Sequence, residues 1–122
     1  MDKKILVAED SSVVHNLIKK IFQQLNYSIT SAKDGEEALD YLSKDDYDIV
    51  LMDINMPNMD GIEMVKQIKQ MPEYKFTPIC MLTTESEQSK MDEGKAAGAK
   101  AWIVKPFQPP KLLDAVSKLI LP

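Results

Sequence analysis

The stretch Ile49-Val50-Leu51-Met52-Asp53-Ile54-Asn55-Met56-Pro57-Asn58-Met59-Asp60-Gly61 decides how this chain is read. Its opening apolar run is short, suits a buried strand, and ends in Asp53. Pro57 breaks any helix there, and Asp60 with Glu63 forms the capping-box pattern that starts a new helix after a short loop. A carboxylate held at a rigid strand end and bordered by a loop is a candidate site.

Working outward, similar apolar runs recur at 5–8, 79–82 and 101–104, with a weaker one at 28–30, and helical patterns lie between them. This β/α rhythm predicts a parallel sheet covered by helices on both faces. The first helix is expected to start at an N-cap Ser12 and to bury Val13, Val14, Leu17, Ile18, Ile21, Phe22 and Leu25. The second follows Asp34-Gly35, with Asp34 and Glu37 as a capping box and Ala38, Leu39 and Leu42 inward. Ile62, Val65 and Ile68 mark the third. The fourth, from Glu87 to Ala97, is apolar only at Met91, Ala96 and Ala97, and its Gly94 costs about 1 kcal/mol relative to alanine. It is expected to be the loosest helix. Gly98 is its stop, and the fifth helix opens at Pro109-Pro110 and buries Leu112, Leu113, Val116, Leu119 and Ile120.

The 122 residues are enough for one domain with a real core. The 44% hydrophobic and 28% charged composition is that of a globular protein, and no apolar run approaches the roughly 20 residues that span a bilayer. Asp2-Lys3-Lys4 leads into a short apolar run and then two acids, so no signal peptide is read and a cytoplasmic location is the default. A net charge of −4 without a lysine/arginine block argues against nucleic acid as a partner. Cys80, the single cysteine, is expected to be a small buried hydrophobe, and His15 a solvated residue on the polar side of the first helix. Of the 8 methionines, Met52, Met64 and Met81 fall at core-like positions, leaving Met91 as a candidate partner contact.

In an open parallel sheet, ligands bind outside the carboxyl ends of the strands. Those ends carry Glu9-Asp10, Asp53, Thr83-Thr84 and Lys105-Pro106, which are acids, hydroxyls and a lysine on one edge. Clustered carboxylates repel unless a cation intervenes, and a hard divalent ion such as Mg²⁺ with oxygen ligands resolves the repulsion. Asp53 then becomes a plausible nucleophile toward a phosphoryl group.

Across its whole length the chain resembles response-regulator receiver domains of the CheY type. The resemblance implies a single flavodoxin-like (βα)5 domain over residues 1–122 with strand order 2-1-3-4-5 and no output domain. It matches Asp53 to the phospho-acceptor, and Glu9 and Asp10 to the acidic pair that holds Mg²⁺ together with Asp53 and the Asn55 backbone carbonyl. Thr83 matches the hydroxyl that meets a phosphoryl oxygen, Lys105 the lysine that pairs with its charge, and Trp102 the aromatic switch. Asn55 and Glu85 match the pair that tunes dephosphorylation, which is expected to be fairly fast. Glu9 stands where aspartate is commoner, so its longer arm is expected to meet the metal through water, while Thr84 narrows phosphoryl access.

The implied function is a two-component signalling switch in chemotaxis and flagellar motor control. It would catalyse its own phosphorylation and dephosphorylation without being an enzyme in the ordinary sense. Its implied partners are a CheA-like sensor histidine kinase, a motor switch protein or other target, and a phosphatase; it would be monomeric and need no membrane. A phosphorelay intermediate serving a histidine phosphotransfer protein is the alternative. A haloacid-dehalogenase-type phosphatase would need a second aspartate where Asn55 stands, and a flavodoxin would not place Glu9-Asp10-Ser11-Ser12 around a flavin phosphate.

Overall fold

A computed structural model describes residues 3–23, 27–53, 55–56, 59–83, 88–104 and 108–120, with backbone alone at 55–56, 59–60 and 88–90. Five strands, β1 (Lys3–Ala8), β2 (Tyr27–Ala32), β3 (Ile49–Asp53), β4 (Ile79–Thr83) and β5 (Ala101–Val104), form one parallel sheet. Their order is β2-β1-β3-β4-β5, as the resemblance implies. The helices are α1 (Ser12–Phe22), α2 (Gly35–Lys44), α3 (Gly61–Lys69), α4 (Gln88–Ala97) and α5 (Pro109–Leu119). A two-residue antiparallel pairing of Asn55–Met56 with Met59–Asp60 closes the loop after β3.

Successive strand residues point to opposite faces, so each central strand feeds two cores. Leu6, Ala8, Val50, Met52 and Met81 pack with Ala38 and Leu42 of α2 and Ile62, Val65 and Ile68 of α3. Ile5, Val7, Leu51, Cys80 and Leu82 pack with Ile18 and Phe22 of α1 and Leu112 and Val116 of α5. Burial on both faces is why β3 and β4 read as unbroken apolar runs. β2 reads weakly because it is an edge strand, half-exposed along most of its length. Cys80 is buried as expected, which pushes its thiol pKa up to about 12.

The first helix departs from expectation in two ways. Its N-cap is Ser11, not Ser12: the Ser11 Oγ accepts from the Val14 N–H at 3.3 Å. Val13 and Leu17 are exposed, at 75% and 38%, because the seam against the sheet runs through Val14, Ile18 and Phe22 and leaves these two on its flank. Leu25 lies outside the described residues. Asp34 caps α2 by accepting from the Glu37 N–H at 2.9 Å, but the Glu37 carboxylate accepts from the Lys33 N–H, one residue before the cap itself. In α5, Leu112 and Val116 are fully buried while Leu113, Leu119 and Ile120 are half-buried at the rim of the core. The Asp60 side chain, and with it the expected cap of α3, is outside the described residues.

Two tethers at the amino end of the sheet have no counterpart in the sequence reading. Tyr74, in a 3₁₀ turn at Pro72–Tyr74, is buried, and its hydroxyl reaches the carbonyls of Leu42, at 2.9 Å, and Asp45. These are carbonyls at the end of α2, which the helix cannot satisfy itself. Lys69 of α3 donates to the carbonyls of Tyr74, Lys75 and Thr77, and its burial, with the nearby charge of Lys100, lowers its pKa. Gly98 ends α4 at φ +122°, and a Cβ there would stand 2.9 Å from the Lys69 Cγ, so both backbone and space require glycine.

Among residues 91–97 of α4, only Gly94 is buried, and Ala96 is exposed. The cost of a mid-helix glycine has a local reason. The Trp102 indole of β5 lies over Gly94, and a Cβ at Gly94 would fall 2.7 Å from its Cζ3, with Met81 behind. Trp102 is half-buried, and its Nε1–H is enclosed without a hydrogen-bond partner among the described residues.

Two outcomes follow. Tyr74→Phe is expected to lower stability by about 1 kcal/mol in urea unfolding, because it strips a donor from carbonyls at the end of α2. Burial raises the Tyr74 pKa from 10.0 to about 12, so the folded state favours the neutral phenol. That contribution is complete below pH 10 and fades as the pH rises toward about 12, a decline that Tyr74→Phe should reduce. In Gly94→Ala, overpacking of about 1–3 kcal/mol outweighs the helix-propensity gain of about 1 kcal/mol, and the indole is displaced. A red-shifted Trp102 emission with lower stability is expected; an unchanged spectrum would refute the contact.

Candidate functional site

The strand register builds the site. Ala8 pairs with Met52, which places Glu9 level with Asp53, and Asp53 pairs with Leu82, which leaves Thr83 one step beyond. Among the described residues, the buried polar or charged side chains are Glu9, Asp53 and Thr83, and all three stand at this edge. A core that excludes polar groups elsewhere admits them only here, where the apolar runs end.

Asp10, at the first bend after β1, is exposed and completes an acidic cluster. Carboxylate oxygens of Glu9, Asp10 and Asp53 all lie within 4.8 Å of one another. Like charges near 4 Å apart repel by about 1 kcal/mol in bulk water and about 4 kcal/mol near a protein surface. The repulsion sets up a strong preference for a cation, and the donors, all hard oxygens, suit Mg²⁺. The cluster therefore fits the ion that the sequence reading assigned to it.

Glu9 is held by its surroundings. Its N–H donates to the Ala32 carbonyl at 3.0 Å, and the Ser11 N–H donates to its Oε1 at 3.3 Å, folding the longer arm back toward the α1 cap. His15 corrects the expectation of a solvated side chain: it is half-buried, its Nε2 bonds the Glu9 carbonyl, and its Nδ1 is enclosed. The cause is the geometry of α1, whose first turn directs residue 15 back over the β1–α1 corner.

The structure thus brings together Glu9, Asp10, Asp53 and Thr83. Trp102 sits at β5, half-buried toward α4 and paired in register with Met81. The Asn55 backbone lies two residues beyond Asp53, in the short pairing with Asp60. Lys105, Thr84 and Glu85 lie outside the described residues, as does the Asn55 side chain. The sequence reading missed His15 and Gly94. The signal for Gly94 was a glycine kept inside a helix; for His15 there was none, since its target is a backbone carbonyl that any residue supplies.

Comparison with known proteins agrees with this geometry. Residues 5–117 match the family model of the response regulator receiver domain. The transcriptional regulatory protein ResD of Bacillus subtilis is 38% identical over 119 residues, covering 98% of this chain but 48% of ResD, so the chain spans about half the length of that relative. The structure of the chemotaxis response regulator CheY4 of Vibrio cholerae superposes with a TM-score of 0.93 at 41% identity, covering 98% of this chain and 99% of CheY4. The receiver domain of the sensor histidine kinase PA1611 from Pseudomonas aeruginosa, 28% identical with a TM-score of 0.90 over 98% of both chains, holds a magnesium ion in its active-site cleft. With the fold, the strand order and nearly the whole chain in agreement, this protein belongs to the response regulator receiver domain family of two-component signalling.

Proposed function

We propose that this receiver domain is a phosphorylation switch in which Asp53 accepts a phosphoryl group from the phosphohistidine of a sensor kinase. One observation carries the reading: three carboxylates converge within 4.8 Å at the end of a rigid sheet, with Thr83 one residue beyond the partner of Asp53 on the neighbouring strand. Mg²⁺ would be held by Glu9, Asp10, Asp53 and the Asn55 backbone carbonyl, supplying charge neutralisation at the carboxylates and phosphoryl oxygens. In the transfer, an Asp53 Oδ–P bond forms as the N–P bond of the donor breaks, and the released imidazole takes up a proton. In the return step, water attacks phosphorus, the Oδ–P bond breaks, and inorganic phosphate leaves. Thr83 donates its hydroxyl to a phosphoryl oxygen, Lys105 pairs with the phosphoryl charge, and Asn55 and Glu85 set the pace of hydrolysis.

The output is a population shift. New contacts of Thr83 with the phosphoryl group favour a second arrangement of β5 and α4, and Trp102 couples the two elements through its seat on Gly94. The surface of α4, β5 and α5 then meets a protein target. The likeness to CheY4 supports a chemotaxis role, with a CheA-like kinase, a flagellar motor switch protein and a phosphatase as partners of a cytoplasmic, monomeric protein. The likeness to ResD supports a second reading, in which the receiver governs transcription. Among the described residues, no helix is long and apolar enough to cross a membrane.

The decisive test exposes the protein to Mg²⁺ and a small phosphoryl donor and follows intact mass. A hydroxylamine-labile phosphoryl adduct is expected, and Asp53→Asn should abolish it; an adduct persisting in that variant would refute the assignment. Mg²⁺ should also raise thermal stability, by about 2.7 kcal/mol at a hundredfold excess over its Kd. Asp10→Asn is expected to stabilise the metal-free protein by relieving repulsion and to blunt the response to Mg²⁺, both readable by thermal melts.

A further inference from the structure

We propose that His15 is a positioning residue for both acids of the β1–α1 corner, setting the affinity of the site for divalent cations. The inference deepens the metal reading of Glu9, Asp10 and Asp53 and rests on it. A carbonyl has no proton to give, so the contact between the His15 Nε2 and the Glu9 carbonyl requires that Nε2–H donate. Nδ1 is enclosed and has no hydrogen-bond partner among the described residues. The ring thus occupies a half-buried place that a freely solvated histidine would not choose, and its polar contact among the described residues is with Glu9.

The Glu9 carbonyl belongs to the peptide plane that joins Glu9 to Asp10. Because that unit is rigid, fixing its oxygen fixes the direction in which the chain leaves one acid and enters the next. Backbone groups also hold Glu9: its N–H donates to the Ala32 carbonyl at 3.0 Å, and the Ser11 N–H donates to its Oε1 at 3.3 Å. The first is independent of sequence, and the second needs the Glu9 carboxylate. The His15 bond adds a side-chain donor from α1, one that this sequence specifies. It matters more with glutamate at position 9, whose additional methylene adds a torsion that a shorter acid lacks. Holding the backbone at both ends of Glu9 limits where that longer arm can place its oxygens.

Two conservative substitutions separate positioning from mere packing. In His15→Gln the amide nitrogen extends to about the place of Nε2, whereas in His15→Asn it stops near Nδ1 and falls short of the carbonyl. Calorimetric titration with Mg²⁺ should show an affinity about tenfold weaker in His15→Asn, the low end for loss of a partner behind a metal ligand, and unchanged affinity in His15→Gln. In the metal-free protein, amide exchange at Asp10 and Ser11 should quicken in His15→Asn and stay unchanged in His15→Gln. If His15→Asn does not fold, His15→Ala takes its place. Equal behaviour of the Gln and short variants in both measurements, whether normal or impaired, would overturn the role. Absence of Mg²⁺ binding by the unsubstituted protein would overturn the metal reading itself, and unchanged exchange in the short variant would overturn the clamp, so the two failures are distinguishable.

Discussion

Burial of β1 and β3 on both faces is the constraint from which the rest of the molecule follows. With helices on either side, neither strand can carry a polar side chain along its central residues, and each meets its first acid only where the helices no longer cover it. Parallel pairing then brings these endings to one edge, and the register of Ala8 with Met52 sets Glu9 beside Asp53. The acidic site is the place where a doubly covered sheet stops being apolar.

Concentrating negative charge at that edge opposes the stability of the fold, and the local structure contains it. Glu9 is bound through its N–H, carbonyl and carboxylate, so the repelling groups cannot swing apart without breaking hydrogen bonds at the start of α1. A cluster held in this way presents converging oxygen donors of the kind a hard cation takes. The rigidity comes from the β1–α1 corner, while the charge comes from three separate carboxylates.

The two sides of the sheet are tied down unequally. α1 and α5 share a core of large aliphatic and aromatic side chains, and α3 is locked at its far end by Lys69 and its three carbonyls. Among the described residues of α4, Gly94 is the buried one and Ala97 packs on the core in part, and the Trp102 indole that Gly94 meets has no hydrogen-bond partner for its N–H among the described residues. An element with few buried contacts is easily shifted by small changes in free energy.

By itself, the sequence determined the layered architecture, because runs such as Ile49–Met52 and 79–82 alternate with helical stripes and only a sheet covered on both faces accommodates both. It also singled out Glu9, Asp10, Asp53 and Thr83, since polar residues that end apolar runs must collect at one edge of such a sheet. Helix starts were legible to within a residue: Ser11 rather than Ser12 caps α1, since either hydroxyl could serve and only the backbone conformation chooses. What tertiary structure decided is every contact whose partner lies on another element. The exposure of Val13 and Leu17, the cap that Tyr74 places on α2, the match of Gly94 to Trp102 and the hold of His15 on Glu9 depend on how helices sit against strands. Periodicity reports which face of a helix is apolar, but not which atoms that face will meet, because distances between elements are set by packing of the whole core.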